Sequence, residues 1–445
     1  MVNNAKLILG ILLVLATRSW AGQAPQEIPW KLNRPIVSIT KDLYAKHPIP
    51  GVSIEVAVRY VGPALEREEI YSTMAESDTP MEPKRRRSMD NGRTWSKFEP
   101  LPPMIRREKG ATIYWGGSAY LFDPVAKVTV GFWLRQTRMP PSDLGEEYYD
   151  HLFYRISRDN EKTWGEPKQL RYEQGETFDP KDPFSEGFLK HNQAYPANDT
   201  ILHSNGSIIH CAAEMNVPYV DPQGRTSIRP LGSLCFIGKW NRNAQDYAWS
   251  AGERVWVPLG VSSRGLQEPE VAELKDGRVL IIWRGSNSQS YWEKQGGVGP
   301  MKTPGRKWYS ISKDGGRTLG KVQELKYDDG SSFYSPSSCD RMIRHSLTGK
   351  LYWIGNISSV PPQGNSPRYP LVIAEVDESI PALKRSTVTV IDDRQPGEGE
   401  GLQLSNFSLL ENRETGALEI FLTRFGADPK DFWGANAYKY TLSLK

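Results

Sequence analysis

Apolar residues in this chain come in short runs, alternating with polar ones or unbroken over five to eight positions, and each run follows a turn containing Gly, Asn or Asp. The clearest copies follow Asn205-Gly206 (SIIHCAAE), Asp276-Gly277 (RVLIIWR), Thr348-Gly349 (KLYWIGN) and Thr415-Gly416 (ALEIFLTR), with the four glycines 71, 72 and 67 residues apart. Runs of this length and period, bounded by turn residues, predict β-strands joined by hairpins. A looser copy follows Asp123-Pro124 (AKVTVGFWLR), and SIEVAVRY at 53–60 precedes it by about 70 residues. Six units of several strands each predict an all-β fold, a six-bladed β-propeller. The propeller is expected over residues 35–445 as one domain, with Ala437 to Leu444 and a strand near Pro35 to Thr40 closing the ring within one blade.

A second repeat lies between those turns: Ser88-Met-Asp-Asn-Gly-Arg-Thr-Trp95, Ser157-Arg-Asp-Asn-Glu-Lys-Thr-Trp164 and Ser312-Lys-Asp-Gly-Gly-Arg-Thr-Leu319. Ser and Asp side chains bond back to nearby backbone amides, and Gly accepts positive φ, so each copy predicts a tight structural turn. No carboxylate follows at the twelfth position as a calcium loop requires, and no metal or other cofactor is expected.

The first 21 residues look like a signal peptide: Lys6, an apolar stretch from Leu7 to Ala16, then Ser19-Trp20-Ala21 with cleavage after Ala21. Residues 22–34 form a lead-in. The protein is therefore expected to be secreted or periplasmic, with no membrane association after cleavage. Of the 445 residues, 56 are basic and 52 acidic; removing Lys6 and Arg18 leaves 54 against 52, too balanced for an electrostatic nucleic-acid binder. Three cysteines make no disulfide scaffold. Cys211 and Cys235 either pair across adjacent strands, leaving Cys339 over, or all three are buried thiols.

Ser-x-Asp-x-Gly-x-Thr-Trp resembles the Asp-box (BNR repeat) of the sialidase superfamily, whose fold is a six-bladed propeller. The likeness covers residues from about 35 to the end and identifies the chain as a divergent member. In any propeller the start of a blade's first strand and the end of its second return to one face. That rim collects Glu268 with Arg284, His191, Asn192 and Gln193 with Glu214, Ser335 to Ser337 with Asn356, and Ser405 to Phe407 with Arg424. Six blades converging on one mouth favour a ligand site there.

The segment Glu268-Pro269 through Trp283-Arg284 is similar to the sialidase blade-four segment. By that resemblance Glu268 is the carboxylate that assists the nucleophile, as base or partner, and Arg284 and Arg368 grip a substrate anion through bidentate guanidinium pairing. The family's acid/base Asp precedes an Arg-Arg-Ser, and Asp78 stands ten residues before Ser88 in Arg86-Arg87-Ser88, with Glu76 close enough to substitute. Two positions depart from the family. His47-Pro48-Ile49-Pro50 stands where the first clamp arginine belongs, so Arg59 or Arg34 is expected to replace it. Leu404 stands where the nucleophilic Tyr belongs, with Tyr195, Tyr334 and Tyr369 as nearby phenols.

The function implied is an exo-acting, sialidase-like glycoside hydrolase, expected to be a monomer, that takes an acidic or modified glycan and works poorly on ordinary sialosides. Its partner is a carbohydrate substrate. Two other readings use the same propeller. His191 at a strand start, with His210 nearby, suits a polysaccharide lyase or a histidine-dependent glycosidase; a rim rich in aromatic residues and arginine suits a carbohydrate-binding propeller without catalysis.

Overall fold

The computed structural model describes residues 28–31, 33–140, 147–197, 199–215, 218–220, 226–228 and 230–445. The segment expected to be a signal peptide, residues 1–21, lies outside them. Six antiparallel sheets follow one another along the chain and form the blades of a propeller. Blade 1 comprises Ser53–Tyr60, Arg67–Met74, Met81–Ser88 and Glu99–Pro100; blade 4 comprises Gln267–Glu273, Val279–Arg284, Lys307–Ser312 and Gln323–Glu324. Blades 2 and 3 share this plan, with second strands Val128–Arg138 and Ser207–Glu214. Blade 5 is built on Arg341–Arg344, Leu351–Asn356 and Leu371–Asp377. Blade 6 takes Ser408–Glu411, Leu418–Thr423 and Ala437–Leu444 from the end of the chain, and Val37–Ala45 from its beginning.

That last pairing closes the ring, with Val37 opposite Leu444 and Ala45 opposite Ala437. Closure removes the edges that an open array of sheets would leave unpaired. Ahead of the closing strand, the lead-in docks on blade 5, where the Asn33 side chain donates to the backbone oxygens of Arg385 and Val388.

The unbroken apolar runs are the second strands. Val279–Arg284, Leu351–Asn356 and Leu418–Thr423 are buried at every position, because both faces of a second strand pack against neighbouring blades. Apolar clusters join blades 2 to 3, 3 to 4, 4 to 5, 5 to 6 and 6 to 1. Blades 1 and 2 meet differently. Arg59, near the end of blade 1's first strand, reaches Glu68 of its own blade and Glu161 of blade 2, both at 2.6 Å, and lies 3.8 Å over the Tyr120 ring.

The three repeated Ser-x-Asp segments form identical turns between third and fourth strands, on the face away from the strand starts. In each, the Ser hydroxyl donates to the Asp and accepts from the amide four residues on; the Asp accepts from the Thr amide and hydroxyl. Gly92 and Gly316 adopt φ of 87° and 88°, where Glu161 tolerates 62°. Cys211 and Cys235 lie opposite each other on adjacent strands and are joined as a disulfide, so of the two thiol arrangements the paired one is found.

The Arg67–Glu419 ion pair ties blade 1 to blade 6 at 2.8 Å with both side chains buried. Removing one partner of a buried pair costs about 3–5 kcal/mol, and Lys439, 3.2 Å from Glu419, places the loss of Arg67 at the lower end. Arg67→Met is therefore expected to lower the unfolding free energy by an amount in that range, read from urea curves as midpoint times slope, while Arg93→Met, at an exposed pair with Glu414, should leave it nearly unchanged.

Candidate functional site

The first strand of each blade starts, and the second ends, at a common mouth. In blade 4 the register between these strands shifts at Gln267 to Glu270, a bulge in which Glu268 takes φ of 42°. Bulges re-aim a side chain at the end of a strand, and a positive φ at a non-glycine residue marks a position held by its surroundings. Here the Glu268 carboxylate meets Arg284, whose Nη1 donates to both oxygens at 2.7 and 2.8 Å. Arg284 also donates from Nε to the Ser337 hydroxyl and from Nη2 to Asn365. The Cys339 thiol of blade 5 donates to Glu268 Oε2 at 3.0 Å. Burial alone would push the Glu268 carboxyl up; the Arg284 charge, its hydrogen bonds and the thiol overcome this and hold it down at about 2. The same burial and the carboxylate's charge push the Cys339 thiol up to about 12.

Two more arginines share this mouth. Arg368, just before a third strand, is 6% exposed and donates to Gln403, the Ser405 hydroxyl and the Ser337 backbone oxygen. Its backbone is fixed by Asn356, whose side chain donates to the Arg368, Pro370 and Leu404 oxygens. Burial, then repulsion from Arg284, lowers the Arg368 guanidinium to about 10. Arg264 lies four residues before Glu268 in the loop entering blade 4, its guanidinium 4.5 Å over the Tyr291 ring. Burial and the charge of Arg284 lower it as well. Among the described residues neither Arg264 nor Arg368 has a carboxylate at ion-pair distance.

Asp78 follows blade 1's second strand on an exposed loop at the same mouth, with φ of 58°, and its charge is felt by Arg264 and Arg368. Beside it stands Glu55 on blade 1's first strand. Burial, then the Asp78 charge, raises Glu55 to about 7, which keeps a proton next to Asp78 near neutrality. Tyr195 of blade 3 is partly buried, and its hydroxyl is raised well above its ordinary value by burial, Glu268, Asp150 and Cys339. The mouth therefore gathers Glu268, Arg284, Arg368 and Asp78 from three blades. Sequence reasoning missed Arg264, Glu55 and Cys339 as site groups. Signals were available for two of them, an arginine near the Glu-Pro for Arg264 and an odd cysteine left by one disulfide for Cys339.

Other candidates fall elsewhere. Arg59 is not a substrate ligand: it sits at the opposite end of its strand, bound between Glu68 and Glu161. Asn192 is wholly buried, its side-chain oxygen accepting the amides of Tyr172 and Glu173, so it pins a loop. Gln193 is 4% exposed, and its backbone oxygen accepts from the Tyr172 hydroxyl. His191 is half exposed, 3.6 Å from Glu173, and is not among the groups that perturb Glu268. His210 lies mid-strand between blades 2 and 3, stacked 3.9 Å from Phe132, and burial drives it down to about 3. A histidine pair at the mouth does not form. Leu404 is fully buried in the core between blades 5 and 6.

Solved structures share this architecture. A Dyadobacter fermentans protein of unknown function aligns over 93% of this chain and 100% of its own, with a TM-score of 0.57 and 14% identity. The NanB sialidase of Streptococcus pneumoniae aligns over 93% of this chain and 70% of its own, at 0.54 and 12%. The fold is the sialidase-type six-bladed propeller. The α-L-arabinanase of Penicillium chrysogenum also matches it, over 92% of this chain and 99% of its own, at 0.50 and 12%. No family model and no curated protein matches the sequence. At these identities the sialidase-type propeller is shared as a fold, and chemistry must be argued from the side chains.

Because Glu268 is held at about 2 in the folded protein against an ordinary 4.5, its ionised form stabilises the fold above pH 4.5. That contribution is lost as pH falls towards 2. The stability of Glu268→Gln should therefore fall less steeply than the wild type's between pH 4.5 and 2, read as denaturant midpoints. Parallel curves would contradict the assignment.

Proposed function

We propose that this propeller is a glycoside hydrolase acting on an anionic or otherwise modified glycan, exported from the cytoplasm. The observation that carries the reading is the charge at the mouth: Arg264 and Arg368 are close to Arg284 and each is destabilised by it, yet neither has a carboxylate partner among the described residues. A carboxylate or sulfate on the substrate supplies the missing countercharge, and guanidinium forks suit either group. Structural likeness to glycoside hydrolases supports the reaction class. The Cys211–Cys235 disulfide supports an oxidising compartment.

Asp78, on an exposed loop over the site, donates a proton to the departing oxygen and afterwards takes one from water, with the raised Glu55 carboxyl beside it as a proton source. Glu268, kept ionised by Arg284, stabilises positive charge at the anomeric carbon and faces the attacking group. With Leu404 buried where a phenol would stand, ordinary sialosides should be poor substrates.

Purified protein incubated with sialyl-lactose, aryl glycosides and uronic-acid or sulfated oligosaccharides should release sugar from an anionic substrate in preference to its neutral analogue. Glu268→Gln should lower kcat by about 10²–10⁴-fold. Arg264→Ala and Arg284→Lys should mainly raise KM, the second by losing the fork. Turnover of neutral glycosides with kinetics unchanged in both arginine variants would overturn the anion assignment, and release of nothing across the panel would leave a binding protein.

A further inference from the structure

We propose that Tyr291 forms the leaving-group subsite of this mouth, a platform on which the sugar beyond the scissile bond stacks. The inference rests on the glycosidase reading above and adds to it a preference for oligosaccharides. Tyr291 stands in the loop joining the second and third strands of blade 4, on the short helix Gln289–Lys294, none of whose residues is buried. It is 38% exposed. Among the described residues the only other aromatic side chain so exposed is Phe98, which Lys84 and Arg86 of blade 1 cover.

The ring lies beside the charged groups of the mouth. Arg264 stands 4.5 Å over it on one side, so its exposed surface is the other side and the edge. Asn287 of the same loop accepts from the Gly364 amide, next to the Asn365 that accepts from Arg284. The loop is also firmly held. The Gly299 backbone oxygen accepts from the Gln289 side chain at 3.0 Å and from the Trp292 indole at 2.9 Å, while Gln295 donates to the Ser263 oxygen at 3.2 Å. Trp292 packs so closely on Gly297 that a Cβ there would come within 2.2 Å of its ring. These bonds fix the helix without using the Tyr291 ring.

A tyrosine has two side-chain torsions to fix, and one already held by its loop loses little entropy when a flat partner stacks on it. The C–H face of a pyranose is such a partner, and apolar rings with a few placed polar groups are what small-ligand sites are lined with. An exo-acting enzyme holds the terminal sugar over Glu268 and Asp78, so the rest of the glycan leaves across the rim. Tyr291 is on that rim, one side chain beyond the arginine that faces the terminal sugar's anion.

The test compares two substrates of the full-length enzyme that end in the same sugar, the one released in the panel above: its methyl glycoside and a trisaccharide that it caps. The wild type should favour the trisaccharide about tenfold in kcat/KM. Tyr291→Ala should bring that ratio to about one, and Tyr291→Phe, which keeps the ring, should leave it near the wild-type value. A ratio near one in the wild type, or a ratio that survives in Tyr291→Ala, would overturn the proposal; the second result would assign the ring only to holding Arg264. Effects of either substitution on Arg264 or on the terminal sugar fall on both substrates and cancel in the ratio. If nothing in the panel is cleaved, it is the glycosidase reading that fails. Calorimetry with the panel's oligosaccharides against methyl glycosides of their terminal sugars then reads the same ratio in Kd, and oligosaccharides bound no more tightly than the methyl glycosides would overturn the subsite as well.

Discussion

The Arg284 guanidinium, with one nitrogen shared between both oxygens of Glu268, is the interaction around which the mouth is organised. It joins the end of blade 4's second strand to the bulge at the start of its first, and through Ser337 and Asn365 it reaches into blade 5. It keeps a desolvated carboxylate ionised, which an isolated buried glutamate would not be. In doing so it takes up the one carboxylate that, among the described residues, lies at ion-pair distance from any of the three arginines. Arg264 and Arg368 remain as fixed positive charge, one held by an aromatic ring and the other by neutral oxygens. Neutral partners position a guanidinium without cancelling its charge, which is what a preorganised anion site requires.

The blades were legible because hydrophobic periodicity is local: a second strand buried on both faces leaves an unbroken apolar run, and a turn needing positive φ leaves a Gly. Glu268 and Arg284 were legible for the same reason, being the ends of two such strands joined by one hairpin. Arg59 misled because strand parity and strand end are different things. Seven residues into its strand, it has crossed the length of the blade and serves the far rim. Asn192 misled because a polar residue at a strand start can face inwards to cap a loop. Cys339 and Arg264 come to Glu268 from a neighbouring blade and an entering loop, and no periodicity within blade 4 encodes either approach.

Five of the six blade interfaces are apolar, and the exception explains a departure in sequence. Where the first and third Ser-x-Asp turns have Gly, the second has Glu161, in a conformation that Gly would adopt at less cost. Its carboxylate is 3% exposed and holds Arg59 across the interface between blades 1 and 2, with Asn160 donating to Glu66 alongside. The turn accepts backbone strain because its side chain does the joining that apolar residues do elsewhere.

The strand that completes blade 6 is made long before its partner. Val37–Ala45 and Ala437–Leu444 are about 400 residues apart in the chain. At about 5–20 residues per second the early strand waits tens of seconds for its mate. For that time one edge of the assembly is open to proteases and to pairing with other chains. The burial pattern of the early strand fits such a wait: only Val37 is buried along it, Asp42 is exposed, and Lys41 finds its partner, Asp392, on blade 5. Charges on an unpaired edge discourage intermolecular pairing. A chain cut short before Ala437 would keep five complete blades and the Glu268–Arg284 pair, yet its sixth sheet would be unclosed, and quality control would find the fault at the seam and not at the site.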